Sequence, residues 1–123
     1  MRIAIPRMGE MVAPCFEHCS TMAVFRADGS GGLDQIDYPL RSRDPFDRVR
    51  LLRDRDVDCV ICGAIQDIYE DVLRTSGFEV ISWVSGFVED LLALYLRGVL
   101  ESGAELPSRD GPDQVAMERT GEV

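Results

Sequence analysis

Asp58-Cys59-Val60-Ile61-Cys62-Gly63, the series Ile65, Ile68, Tyr69, Val72 and Leu73, and Phe78-Glu79-Val80-Ile81-Ser82-Trp83 form the stretch that decides the fold. The first part is an uninterrupted apolar run ended by Gly63, the pattern of a strand buried on both faces. The second follows i, i+3, i+4, i+7, i+8 spacing and predicts an amphipathic helix, stopped at Gly77. The third predicts another strand over 78–83. Ser85-Gly86 then opens a last helix, with Glu89 and Asp90 in its first turns. Phe87, Val88, Leu91, Leu92, Tyr95 and Leu96 form its apolar face. Strand and helix alternate, so these strands are expected to lie parallel, joined by right-handed crossovers.

Working toward the N-terminus, Asp44-Pro45-Phe46-Asp47 is a helix start. Asp44 suits the cap, Pro45 the first helical position and Asp47 the positive end of the dipole. Phe46, Val49 and Leu52 share one face. Thr21 to Arg26 and Leu33 to Tyr38 flank the turn cluster Asp28-Gly29-Ser30-Gly31-Gly32 and read as a hairpin. Ile3-Ala4-Ile5, closed by Pro6, reads as a short buried first strand. Residues 7–19 show no clean period and read as a long loop, the kind of segment that carries function. The first strand belongs between the hairpin and Asp58–Cys62. The expected architecture is a three-layer α/β fold with a ribonuclease-H-like arrangement and a mixed, mostly parallel five-stranded sheet.

The 123 residues make one domain. Thirteen basic residues, all Arg, face 22 acids, for a net charge of −9. That balance argues against nucleic acid as a partner. Residues 1–100 hold 11 Arg against 16 acids, and residues 101–123 hold 2 against 6. The second segment also has Gly and Pro without apolar period, so 1–100 reads as the domain and 101–123 as a flexible acidic tail. Residues 41–55 carry six Arg and read as a solvated helix face or a partner dock. No apolar run reaches the ~18 residues needed to cross a bilayer. The N-terminus lacks the apolar stretch of a secretory signal, so a cytoplasmic protein is expected.

In a reducing compartment the four cysteines are free thiols, core residues or metal ligands. Cys15 and Cys19 flank His18 in the loop after the first strand. Cys62 ends a strand that should neighbour it, and open α/β sheets place ligands at that carboxyl edge. Thiolates there favour iron–sulfur, Cu(I), Zn or molybdenum–sulfur chemistry. Cys59 and Cys62 differ by an odd offset on a strand and point to opposite faces, which makes Cys59 a core residue. Met8 and Met11 are soft neighbours that also suit core filling.

These residues resemble the small iron-molybdenum cofactor biosynthesis proteins, the NifX-like and NifB C-terminal-like domains. The resemblance runs from Met1 to about Leu100. It rests on Ile3-Ala4-Ile5-Pro6, Gly9, Val12-Ala13-Pro14-Cys15-Phe16, Ile61-Cys62-Gly63-Ala64-Ile65 and Val84-Ser85-Gly86. It implies the ribonuclease-H-like fold and non-covalent carriage of metal–sulfur clusters, one related type holding a molybdenum–copper sulfide. The family typically has His at Cys15, Gly at Glu17, a basic residue at His18, and Gly at Ala64 and Gln66. A thiol at position 15 is softer than imidazole and suits a metal–sulfur site.

The expected function is therefore non-catalytic: binding or carrying an iron–sulfur or molybdenum-containing cluster. Cys15, His18, Cys19 and Cys62 would be ligands. Gly63 would be a cofactor-binding residue, and Ser85 and Gly86 would donate N–H from a helix N-terminus. Cluster-assembly proteins are the expected partners, and the chain would be a monomer or weak dimer. The alternative is a metal-free thiol redox regulator or interaction module. A ribonuclease-H-like nuclease is disfavoured, because Arg2-Ile3-Ala4-Ile5 offers no carboxylate for a two-metal site.

Overall fold

The computed structural model describes residues 1–107. Its central strand is β1 (Arg2–Met8), which pairs antiparallel with β2 (Met11–Val12) and β3 (Thr21–Ala27) and parallel with β5 (Cys59–Ile61). β3 continues antiparallel into β4 (Leu33–Pro39), and β5 continues parallel into β6 (Glu79–Ile81). The path is β4-β3-β1-β5-β6 with β2 beside β1. The mixed sheet thus puts β1 between the hairpin and β5, as expected, but has six strands among the described residues instead of five.

The added strand comes from the segment read as a loop. β1 does not close at Pro6. The Pro6 carbonyl accepts the Ala13 N–H at 2.8 Å, on the edge where β5 has already ended at Ala4↔Val60. A proline there forfeits no ladder donor, so the strand runs on to Met8. Gly9, at φ +62, turns it back into β2.

Helices α1 (Pro45–Asp54), α2 (Asp67–Thr75) and α3 (Val88–Leu96) complete three layers. Asp44 caps α1 through the Phe46 N–H at 3.0 Å, with Pro45 in the first turn. Period-2 alternation divides the core. Ala4, Val24, Val60 and Val80 pack with Val49, Leu52 and Leu73 of α1 and α2. Ile3, Ile5, Phe25, Cys59 and Ile61 pack with Leu91 and Leu92 of α3. Cys59 and Cys62 fall in these two opposite cores, as their spacing requires.

The segment after Leu100 is not detached over its first seven residues. The Gly103 N–H donates to the Ser82 carbonyl, Ser85 N–H to Ala104 and Leu106 N–H to Ser85, all at 2.9–3.0 Å. Leu106 lies against Gly86, where a Cβ would meet it at 2.7 Å. Residues 103–106 thus pair with Ser82 and Ser85 of the domain. The remainder of the expected tail, 108–123, lies outside the described residues. No helix among the described residues is long and apolar enough to cross a membrane.

Candidate functional site

The loop between β2 and β3 is held by a buried anchor. Phe16 is fully buried, worth about 1.5–3 kcal/mol of apolar transfer. Its N–H donates to the Ala64 carbonyl at 2.9 Å, and the Ala64 N–H donates to Pro14 at 2.9 Å. Cys15 and Ala64 thus form a parallel bridge that continues the β1–β5 sheet edge past its named strands. Gly63 permits this contact, since a Cβ there would lie 2.6 Å from the Ala13 carbonyl oxygen and 2.9 Å from that of Pro14. Gly63, expected as a cofactor-binding residue, packs here against the backbone of residues 13 and 14.

A cleft of about 260 Å³ opens on this loop, lined by Arg7, Met8, Ala13, Pro14, Cys15, His18, Cys19 and Ser20. Cys15 is half-buried and His18 exposed. The Cys15 thiol donates to Glu17 Oε1 at 2.8 Å. Burial first, and the neighbouring Glu17 carboxylate second, raise its pKa above the ordinary thiol value. Cys19 lines the cleft but is itself buried; its thiol donates to the Phe16 carbonyl at 3.2 Å. Burial raises the Cys19 pKa, with the Arg48 guanidinium opposing that rise.

Cys62 does not join them. It is fully buried in the α1/α2 core, and burial, then the Glu70 and Glu17 carboxylates, push its thiol strongly up. Gly63 does not expose it, because the 13–15 backbone folds over that strand end. Ser85 and Gly86 also depart from expectation. The last helix begins at Val88 with Phe87 as its cap residue, so neither is at its N-terminus. The Ser85 N–H is spent on Ala104, and the Gly86 carbonyl accepts the Val12 N–H at 3.0 Å. Among the described residues no three His, Cys, Asp or Glu side chains are grouped to hold a metal ion. Of the four residues expected as ligands, Cys15, His18 and Cys19 line the cleft and Cys62 does not.

Two buried charged residues shape the loop and left little trace in the sequence. Glu17 is buried, and its second oxygen accepts the Gln66 N–H at 2.7 Å, tying the cysteine loop to the start of α2. Nothing periodic marks a carboxylate in a non-repeating loop. Arg48 is buried on α1, where Nη2 donates to the Cys19 carbonyl at 2.5 Å and Nη1 to Ser42 at 3.2 Å. Its position beside Val49 and one turn before Leu52, on the apolar stripe, was the available signal.

Solved structures share this architecture. An apo form of the orange protein from Desulfovibrio gigas matches with a TM-score of 0.63 and 18% identity, over 82% of this chain and 91% of its own. A candidate dinitrogenase from Methanocaldococcus jannaschii matches with a TM-score of 0.67 and 19% identity, over 82% and 92%. A candidate NifB protein from Thermotoga matches with a TM-score of 0.62 and 22% identity, over 89% and 98%. At these identities the likeness establishes the fold. Comparison with curated protein sequences gives no match. The family model described as dinitrogenase iron-molybdenum cofactor matches residues 1–98, and the chain belongs to that family.

Proposed function

We propose that this protein is a non-catalytic carrier of a metal–sulfur cluster, iron–sulfur or molybdenum-containing, working in the cytoplasm with cluster-assembly proteins. The observation that carries this reading is the cleft at the carboxyl edge of the sheet that Cys15, His18 and the buried Cys19 line. Family membership supports the cargo class. A thiol and an imidazole are soft donors suited to a sulfide-bearing metal centre. Two or three donors on an open cleft hold a cargo less completely than a closed four-ligand cage, which suits release to a recipient.

The metal-free thiol regulator is supported less well. It leaves the His18 imidazole on the same cleft and the family's cofactor class without a role. The test is anaerobic reconstitution of the full chain with iron, molybdate and sulfide, followed by elemental analysis after desalting. Stoichiometric uptake that falls severalfold in Cys15→Ala and His18→Ala is the expected result. Full uptake by the Cys15→Ala protein, or none by the wild type, would overturn the proposal.

A further inference from the structure

A groove of about 210 Å³ opens between the end of β4 and α1 and shares no lining residue with the cargo cleft. Pro39, Leu40 and Leu51 give it an apolar lining, and Arg41, Ser42, Asp47 and Arg48 supply its polar groups. It lies on the Arg-rich segment, which the structure divides. Arg48 is buried, whereas Arg41 and Arg43 are exposed, and their side chains make no ion pair or hydrogen bond among the described residues.

The neighbouring carboxylates do not cancel these two charges. Asp47 is bonded by the Ser42 hydroxyl and the Arg50 guanidinium, and Asp44 caps α1 with Arg50 Nη2 3.8 Å away. Residues 41–50 thus hold four Arg against two acids, in a chain of net charge −9. Unspent guanidinium groups at an apolar groove are complementary to a carboxylate-bearing segment with an apolar side chain to insert. The groove is smaller than the roughly 300–1,000 Å³ of small-molecule sites, so it seats a side chain rather than a free ligand. A nucleic acid would meet the field of a −9 chain with few phosphate contacts to offset it.

The groove also backs onto the cargo cleft. Arg48 donates from Nη1 to the Ser42 carbonyl at 3.2 Å, and from Nη2 to the Cys19 carbonyl at 2.5 Å. One buried guanidinium thus joins the groove to a cysteine that lines the cleft.

We infer that this groove is a docking site for an acidic segment of a partner protein. Arg41 and Arg43 pair with its carboxylates, and Leu40 and Leu51 receive an apolar side chain. That the partner exchanges cargo with the cleft rests on the carrier reading; the dock itself does not.

The test titrates the isotope-labelled full chain, free of metal, with a capped hexapeptide alternating glutamate and leucine, followed by nuclear magnetic resonance. Saturating shifts over residues 39–51, carried through Arg48 to Cys19, are the expected result. Arg41→Gln/Arg43→Gln should weaken binding roughly three- to tenfold, the factor that two exposed ion pairs supply. Added salt should weaken wild-type binding as well. Arg26→Gln/Arg97→Gln removes the same charge from elsewhere and should stay within about twofold, because distant charges are screened. Equal affinity in Arg41→Gln/Arg43→Gln, shifts confined to other surfaces, or no saturation overturns the dock and leaves the carrier reading standing. Signals of residues 108–123 displaced by the peptide would make the occupant the chain's own end. A dimer that dissolves in Arg41→Gln/Arg43→Gln would make it a second copy, and tighter binding of an oligothymidylate would make it nucleic acid. Each of these overturns the partner assignment. Failed cluster uptake with peptide binding intact overturns the carrier reading alone.

Discussion

Glu17 receives the Cys15 thiol on one carboxylate oxygen at 2.8 Å and the Gln66 N–H on the other at 2.7 Å. One buried side chain thus fixes the half-buried thiol and joins its loop to the start of α2. Glu17→Ala leaves the Gln66 N–H without its partner and should cost about 1–3 kcal/mol. In a domain of this size that lowers the thermal midpoint by several degrees, about 4–8 °C per kcal/mol. Glu17→Gln keeps an acceptor and should cost less. It also removes the anion that helps raise the Cys15 pKa, so Cys15 should alkylate faster at a fixed pH near 8. An unchanged alkylation rate in Glu17→Gln would show that the carboxylate does not control the thiol.

The native protein should offer one thiol to a soluble alkylating reagent. Cys15 is half-buried, while Cys19, Cys59 and Cys62 are buried. Mass spectrometry after brief iodoacetamide treatment should find a single adduct at Cys15, and four after denaturation. Because burial and Glu17 raise its pKa, the Cys15 rate should keep climbing beyond the pH at which an ordinary thiol levels off. Early modification of Cys62 would show that the loop over Gly63 opens in solution.

The buried thiols also set the alkaline limit of stability. Burial raises Cys59 to about 12 and moves Cys19 and Cys62 upward as well. A thiol raised in the folded state stays protonated while its unfolded counterpart ionises. Its contribution is complete below the unfolded value near 9.0 and is lost as pH climbs from there through the folded values. The thermal midpoint should therefore be flat from pH 7 to about 8.5 and fall steadily above 9. Cys59→Ala should fall less steeply than wild type over that range, though from a lower starting point. Parallel curves for the two proteins would remove Cys59 as a cause.

Long apolar runs and helix starts were legible because they are decided locally. The Asp44-Pro45 cap, the helix stripe through Tyr69 and Leu73, and the opposite faces of Cys59 and Cys62 all follow from short-range geometry. β2 was not legible, since two residues carry no period and their pairing depends on β1 running through Pro6. Cys62 looked free at a strand end because the segment that covers it, residues 13–15, is distant in sequence. Glu17 became visible only with its partner, 49 residues away, and Arg48, though it lies on an apolar stripe, has its partner 29 residues away. Of the four residues expected as ligands, Cys15, His18 and Cys19 line one cleft, and Cys62 is kept from it by tertiary burial.

Gly63 is the position at which the site tolerates least. A Cβ there would meet two backbone carbonyl oxygens, at 2.6 and 2.9 Å, and backbone cannot swing aside as a side chain does. Gly63→Ala should cost about 1–3 kcal/mol, the usual range for overpacking. It should also push the Pro14-Cys15 segment off the sheet edge and speed alkylation of Cys15. An alanine variant with wild-type midpoint and alkylation rate would contradict the close approach.

Residues 101–107 should behave as part of the domain even though their composition is that of a tail. A chain ended at Leu100 loses the backbone bonds of Gly103, Ala104 and Leu106 to Ser82 and Ser85, and the Ser102 hydroxyl that accepts the Ser82 N–H at 3.0 Å. It also uncovers Gly86 and the α3 side of the core, where Ala104 and Leu106 pack. At about 1 kcal/mol for each hydrogen bond, and more for the uncovered leucine contact, the loss should be about 3 kcal/mol or more. A chain ended at Pro107 keeps every one of these contacts. Urea unfolding of 1–100 and 1–107 side by side should therefore separate their midpoints clearly, with 1–107 the more stable. Coincident curves would mean that the segment contributes nothing to the fold.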